Sequence, residues 1–354
     1  MEIMVLKGDG IGPEIMESSL NILNLLTENY NLKLDPVEFD IGAETISTGK
    51  WKLSAIIEEA RKFRAILKAP MGHPKLRNAG GTEDALDVIL GLRSELDLYA
   101  NVRPVRKLPG VQSVLRGYED PGSINYTLVR ENSEGLYSSH FGGQILRDEV
   151  AVDNQIITRK GTERISRYAF ELAEKNYNGN RENRKKVTCV DKSNVLKSFA
   201  FFRKIFEEVS KDYPDVATQY MYADAMTQYM LFHPGELDVI VTENMFGDVL
   251  SDLAAATVGG LGFAYSANLS ENAGMFEPVH GSAVDIAGKG IANPTAMILS
   301  TTMMLGWLGE TKYSNIVEKA LSAVLADGIR TTDMGGNVKT KEFTGKVMEK
   351  MRNS

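Results

Sequence analysis

Residues Leu237–Ala256 read LDVIVTENMFGDVLSDLAAA. The first six, Leu237–Thr242, are mostly β-branched or apolar and read as a short buried strand. ENMFGDVLSDLAAA follows it as a loop and then a helix rich in strong helix formers. The same strand, loop and helix unit recurs at Lys186–Val190 before DKSNVL and at Thr218–Tyr222 before ADAMTQYML. Nearer the N-terminus, Glu2–Leu6 reads as a strand and Ile15–Thr27 has helical spacing after Pro13, which suits a helix start. Phe63–Leu67, Ser123–Val129 and Glu149–Thr158 read as further strands, and Thr82–Leu98 and Gly161–Lys175 as helices. This alternation predicts an α/β protein whose sheet is at least partly parallel.

The chain has 354 residues, enough for about two domains, and the Pro, Gly and Arg-rich passage NVRPVRKLPG from Asn101 reads as a crossing between them. Hydrophobic residues make up 43% and charged residues 25%, the balance of a folded globular protein rather than a disordered one. A net charge of −7 repels a phosphate backbone, so nucleic acid is not expected as a partner. The single Cys189 allows no intramolecular disulfide and fits a reducing, cytoplasmic compartment. The N-terminus has neither the basic start nor the apolar core of an export signal. Met297–Leu308 is apolar but too short for a membrane span, and reads as a buried core helix. The polar stretch NGNRENRKK, Asn178–Lys186, reads as a solvated loop.

Several residues could carry chemistry. GDGIGPE, Gly8–Glu14, lies where a strand meets a helix, and its glycines either let amides approach an anion or simply make a tight βα turn. The glycine spacing is not GxGxxG, and no acidic residue follows a second strand as the dinucleotide fingerprint requires. Asp248 and Asp252 are four apart at the start of a helix and point to one side, which suits Mg or Mn; dipole preference alone also places acids there. Asp224, at the end of a different strand read as adjacent, is a third candidate ligand. Arg93, Arg103 and Arg130 lie near element ends in an acidic protein, and guanidinium groups bind carboxylates well. Lys192 and Tyr137 are further candidates. No two of His73, His140, His233 and His280 have metal-ligand or hydrolytic-triad spacing. His280 sits in FEPVHGSAVDIAGKGIANP, whose length and small residues suggest a functional loop.

GDGIGPE, LRSELDLYANVRPV, VRENSEGLY, VDKSNV, YADA, ENMFGDVLSDLAA and EPVHGSAVDIAGKGIANP occur in this order between residues 8 and 294. In this the chain resembles the β-decarboxylating dehydrogenases that act on 3-isopropylmalate, isocitrate, homoisocitrate, tartrate and D-malate. The resemblance implies a two-domain α/β fold that is not a Rossmann fold. It makes residues 1–100 and 255–354 a cofactor domain and 101–254 a substrate and dimer domain. It further implies that Arg93, Arg103 and Arg130 hold the carboxylates of a malate-type substrate, with Asn194 and Asp224 also in contact. Asp224, Asp248 and Asp252 would bind Mg or Mn. Lys192 would take the hydroxyl proton and Tyr137 would protonate the enolate carbon. Lys192 and Asp224 would act across a homodimer, which could associate further.

Cofactor contacts implied by the resemblance fall on Ile11, His280, Gly281, Ser282, Ala283, Asp285, Ile286 and Asn293. Asp285 would accept from the adenine ribose hydroxyls and repel a 2′-phosphate. NADP-using relatives carry Lys then Tyr where this chain has Asp285 and Ile286, so NAD is expected. Isocitrate-specific relatives carry Ser and Asn where this chain has Asp87 and Ile89. Leu86, Ile89 and Leu90 share the Arg93 face of a helix and offer an apolar wall for an isopropyl group, worth roughly 1.5 to 3 kcal/mol if buried; the same residues could instead pack in the core. The expected substrate is 3-isopropylmalate, with homoisocitrate, isocitrate, D-malate or tartrate as alternatives. A non-catalytic regulatory subunit of this fold is the reading from another class. Retention of Tyr137, Lys192, Asp224, Asp248 and Asp252 favours catalysis over it.

Overall fold

The computed structural model describes residues 1–77, 83–175 and 185–353. Residues 178–184 of the polar stretch, and Thr82 at the start of the expected helix Thr82–Leu98, lie outside the described residues. In chain order the described strands are Glu2–Leu6 (β1), Asp35–Phe39 (β2), Ala65–Lys68 (β3), Ala100–Arg106 (β4), Asn125–Glu131 (β5) and Gln144–Leu146 (β6). They continue as Val150–Val152 (β7), Lys186–Asp191 (β8), Ala217–Tyr222 (β9), Val239–Thr242 (β10), Tyr265–Leu269 (β11) and Gly274–Pro278 (β12). The residues form two compact units. One comprises Met1–Leu98, Leu108–Ser113 and Val258–Ser354, and the other Tyr99–Lys107 and Val114–Thr257.

In the first unit the strand order is β2-β1-β3-β12-β11. β2, β1, β3 and β12 run parallel, with Leu6 opposite Lys68 and Leu67 opposite Phe276, while β11 is antiparallel to β12. Alternating βα connections bury both faces, so β1 and β3 are apolar almost throughout. Helix Thr295–Trp307, expected from its apolar run, lies against β12, β11 and β3 and is buried nearly all round. The hydroxyls of Ser300, Thr301 and Thr302 donate to the carbonyls four residues back, so this helix buries them with partners. No helix among the described residues is long and apolar enough to cross a membrane.

In the second unit the order is β4-β5-β10-β8-β9. β4 and β5 are antiparallel, and β5, β10, β8 and β9 run parallel. The αβ expectation holds, and the mixed strand directions in both units depart from an all-parallel Rossmann sheet. β9 and β10 are separated by β8, so Asp224 and the Asp248–Asp252 pair do not follow neighbouring strand ends.

Other departures have local causes. The expected strand Glu149–Thr158 shrinks to β7, paired with β6 in a separate ribbon. Beyond it Ile156 pairs with Gly135 in an isolated bridge, and on either side the Asn154 amide donates to the Ser139 hydroxyl at 2.8 Å and the Thr158 amide to Glu134 at 2.8 Å, so side chains take bonds that a continued ladder would have made. β2, DPVEF, carries a proline and two acids and did not read as a strand. Asp40 follows it directly, so an acidic residue does stand after the second strand, where it pairs with Lys50 at 2.5 Å. The long loop begins later than expected, because Phe276–Pro278 belongs to β12.

GDGIGPE is a packing turn. The Asp9 amide donates to Pro70, that of Ile11 to Ser282 and that of Gly12 to Asp9, each at 2.8 Å. Asp9 accepts from the amides of Ala43 and Gly72. Gly10 has φ +60, and a Cβ there would lie 1.9 Å from the Ser282 carbonyl oxygen. Gly10→Ala should therefore destabilise the fold by about 2 kcal/mol or more, seen as a lower urea midpoint with an unchanged slope.

Candidate functional site

The second unit gathers a charged cluster around Asp248. Arg103 reaches it from β4 and Arg130 from β5, and helix Asn244–Thr257 presents Asp248, Ser251 and Asp252 one turn apart. Arg130 is 1% exposed and Arg103 7% exposed, so both guanidinium groups need partners of opposite charge. Arg130 donates to Asp248 at 2.5 Å and Arg103 to the same oxygen at 3.1 Å, and the Tyr137 hydroxyl donates to its other oxygen at 2.8 Å. Asn244 accepts twice from Arg130, at 2.9 and 2.7 Å, and Asn101 accepts from Arg103 at 2.7 Å. Arg103 also bonds the Ser251 hydroxyl, and lies 3.7 Å from Asp252. The Tyr137 ring sits 5.2 Å from the Arg130 guanidinium carbon.

Gly247 permits this arrangement. A Cβ there would fall 2.5 Å from Cγ of Arg130, so any larger residue would push the helix off the arginine stem. Partial burial pushes the Asp252 carboxyl up, against the pull of Arg103 and with the added repulsion of Asp248. Behind the cluster, burial raises Glu131 to about 7 although the amides of Ser133 and Glu134 donate to it.

A second pair stands apart on the same unit. Lys192, after β8, bonds Asp224, in the first turn of helix Ala223–Phe232, at 2.7 Å. The lysine holds the Asp224 carboxyl below its ordinary range. Asn194 is exposed two residues on.

In the first unit, Arg93 on helix Asp84–Glu95 meets Glu277 of β12 at 3.2 Å. Lys68 at the end of β3 bonds the other oxygen of Glu277 at 2.7 Å, and Asn268 donates to the oxygen that Arg93 meets, at 2.7 Å. Ile89 is a core residue packed among Met4, Ile56 and Leu92, whereas Leu86 is 40% exposed and Leu90 half-buried. The expected three-residue wall is thus divided, because the helix turns Ile89 inward onto the core.

The loop 279–294 is held at its base by Glu14, which accepts from the amides of Gly290 and Ala292 at 3.2 and 3.0 Å. Ile11 touches its start by donating to Ser282. Gly281 and Asp285 are exposed, and Ser282, Ala283 and Ile286 half-buried. Burial lowers the pKa of His280, favouring the neutral ring. Asn293 is turned to structural partners, donating to Asp333 at 2.9 Å and accepting from the Thr295 amide at 2.9 Å.

Residues 2–347 match the isocitrate/isopropylmalate dehydrogenase family. A 3-isopropylmalate dehydrogenase of Archaeoglobus fulgidus is 44% identical over 348 residues, 98% of each chain. The chain belongs to the isocitrate/isopropylmalate dehydrogenase family. A 3-isopropylmalate/3-methylmalate dehydrogenase of Methanocaldococcus jannaschii is also 44% identical, over 99% of each chain. The crystal structure of isocitrate dehydrogenase from Methylococcus capsulatus matches with a TM-score of 0.86 at 36% identity, covering 99% of both chains.

Within this dehydrogenase family framework, the described residues of one chain bring together Arg103, Arg130, Tyr137, Asp248 and Asp252, and separately Lys192 with Asp224. They contain no group of three or more carboxylate, histidine or cysteine side chains poised for a metal. Sequence reasoning missed Lys68, Glu277, Asp9 and Glu14 as organising residues. Asp9 and Glu14 lay inside GDGIGPE and Glu277 inside FEPVHGSAVDIAGKGIANP without being singled out, and Lys68 was signalled by being a lysine that closes the apolar strand AILK.

Burial alone would raise Glu277, but the ion pairs with Lys68 and Arg93 and the bonds from Lys68 and Asn268 outweigh it and hold the carboxyl at about 2. Its contribution to stability is therefore present above the ordinary carboxylate pKa and is lost as pH falls toward 2. Glu277→Gln should unfold more easily at pH 7 by about 3 kcal/mol. It should also flatten the loss of stability on acidification, both read from urea melts at a series of pH values.

Proposed function

We propose that this dehydrogenase catalyses NAD-dependent oxidative decarboxylation of 3-isopropylmalate to 2-oxo-4-methylpentanoate and carbon dioxide, assisted by Mg or Mn, in cytoplasmic leucine biosynthesis. The observation that carries the reading is the pair of buried arginines beside Tyr137 and two adjacent carboxylates. Two guanidinium forks at one spot suit a carboxylate substrate, and 44% identity to proteins named for 3-isopropylmalate supports the substrate class.

Asp248 and Asp252 fit a hard divalent cation in ligand type, and their mutual repulsion would be relieved by one. Two carboxylates supply only part of an oxygen shell, so Asp224 of a second subunit, substrate and water would complete it. When bound, the cation would polarise the substrate hydroxyl and its neighbouring carboxylate, and NAD would accept the hydride. Arg103 and Arg130 would orient the substrate carboxylate. Lys192 would accept the hydroxyl proton at Nζ, and the Tyr137 hydroxyl would deliver a proton to the carbon that loses carbon dioxide. In the first unit, Arg93 would take a further carboxylate and Leu86 with Leu90 would offer apolar surface to the isopropyl group. His280, Asp285, Ile286 and Asn293, with Ile11 and the backbone of Gly281–Ala283, would bind NAD. For Asn293 this requires release of Asp333.

A homodimer is part of the proposal. Lys192 and Asp224 stand apart from Asp248 and Asp252 in one chain, and the ribbon β6–β7 exposes Ile145 and Val150 at 71% and 51%, an apolar face that a second copy would cover.

Initial-rate NADH formation with Mg or Mn tests the activity against 3-isopropylmalate, homoisocitrate, isocitrate, D-malate and tartrate, with NADP in parallel. The highest kcat/KM is expected with 3-isopropylmalate and NAD; preference for a tricarboxylate would overturn the substrate assignment. The shared site is tested by mixing inactive Lys192→Met and Asp248→Asn dimers. Random re-pairing should restore about a quarter of wild-type turnover, since half the dimers are mixed and each carries one intact site. No recovery after demonstrated re-pairing would place both residues in one chain's site.

A further inference from the structure

The end of β8 carries a buried ion pair directly before Lys192. Asp191, the last residue of β8, is fully buried. Arg203, on helix Lys197–Ser210, donates to it from Nε at 2.7 Å and from Nη2 at 3.0 Å. This two-point fork fixes both the distance and the plane of the carboxylate. The same carboxylate accepts from the Ser193 amide at 2.8 Å, which closes the chain into a turn around Lys192. The amides of Val195 and Leu196 continue that turn by donating to the Lys192 carbonyl.

Arg203 also reaches the neighbouring strand end. Its guanidinium carbon lies 5.3 Å from the ring centroids of both Tyr220 and Tyr222 on β9. Tyr222 precedes the helix whose first turn bears Asp224, and the Lys192 Nζ lies 5.8 Å from the same ring. One side chain thus grips the residue before Lys192 and packs on the residue two before Asp224.

We propose that Arg203 is a positioning residue that holds the Lys192 turn and the Asp224 helix start in one fixed relation. The inference rests on the assignment of Lys192 as the proton acceptor. A pair serving stability alone could sit anywhere along β8, whereas this one braces the two chain turns that present Lys192 and Asp224. Displacing a proton acceptor by as little as 1 Å lowers turnover steeply.

The test compares Arg203→Lys, Arg203→Met and Lys192→Met with the wild-type dimer in steady state across pH, well below each melting temperature. Arg203→Lys keeps the charge and the stem, and should fold and lose roughly tenfold in kcat; Arg203→Met should lose on the order of 100-fold. In both, with Mg saturating, KM for the 2-hydroxy acid should change less than kcat, and the acidic limb of kcat against pH, which reports deprotonation of the base, should shift. Unchanged kcat and an unmoved acidic limb in folded Arg203→Lys, with only the melting temperature lowered, would overturn the proposal. That variant decides the matter if Arg203→Met does not fold. Full turnover in Lys192→Met would instead overturn the assignment of the base, an outcome read from that variant alone.

Discussion

The Asp248 carboxylate is the constraint around which the second unit is arranged. Two arginines from adjacent antiparallel strands are buried almost completely, and leaving one buried charge uncompensated would cost about 3 to 5 kcal/mol, a large share of the net stability of a domain. One aspartate answers both, and its second oxygen holds Tyr137. The demand fixes how closely helix Asn244–Thr257 must approach β5, and hence why residue 247 has no side chain. The position of the helix and the glycine follow from this interaction, while Asp252, 3.7 Å from Arg103, adds the second negative charge.

The first unit solves the same problem with the signs reversed. Glu277 is a buried acid on β12, and Lys68, Arg93 and Asn268 converge on it from three other elements. Its depressed pKa is the measure of how strongly those partners outweigh burial. Arg93 is therefore oriented by Glu277, in the same way that Arg103 and Arg130 are oriented by Asp248, which suits the role proposed for the three in holding substrate carboxylates. Preorganised guanidinium groups lose less freedom on meeting a carboxylate than solvated ones do.

Much of this was legible in the sequence because it is local. The strand, loop and helix units, the buried helix Thr295–Trp307 and the one-turn spacing of Asp248 and Asp252 follow from periodicity and residue type. β2 and β7 were misread because DPVEF carries turn-forming residues and because Ser139 and Glu134, distant in the chain, take the hydrogen bonds that a longer β7 would have made. Ile89 was legible as apolar, but not as core rather than wall, since helical period gives a face without saying what lies opposite.

The sequence by itself determined the family, the alternating α/β architecture and the identity of the charged residues, because motif order and short-range spacing are properties of the chain. Tertiary structure alone decided which charges meet. It paired Arg93 with Glu277 across 184 residues and Arg130 with Asp248 across 118. It put β8 between β9 and β10, so that Asp224 joins Lys192 rather than Asp248 within one chain. The reason is physical: a buried charge must find its partner wherever the fold brings one, and that distance is not written in local sequence.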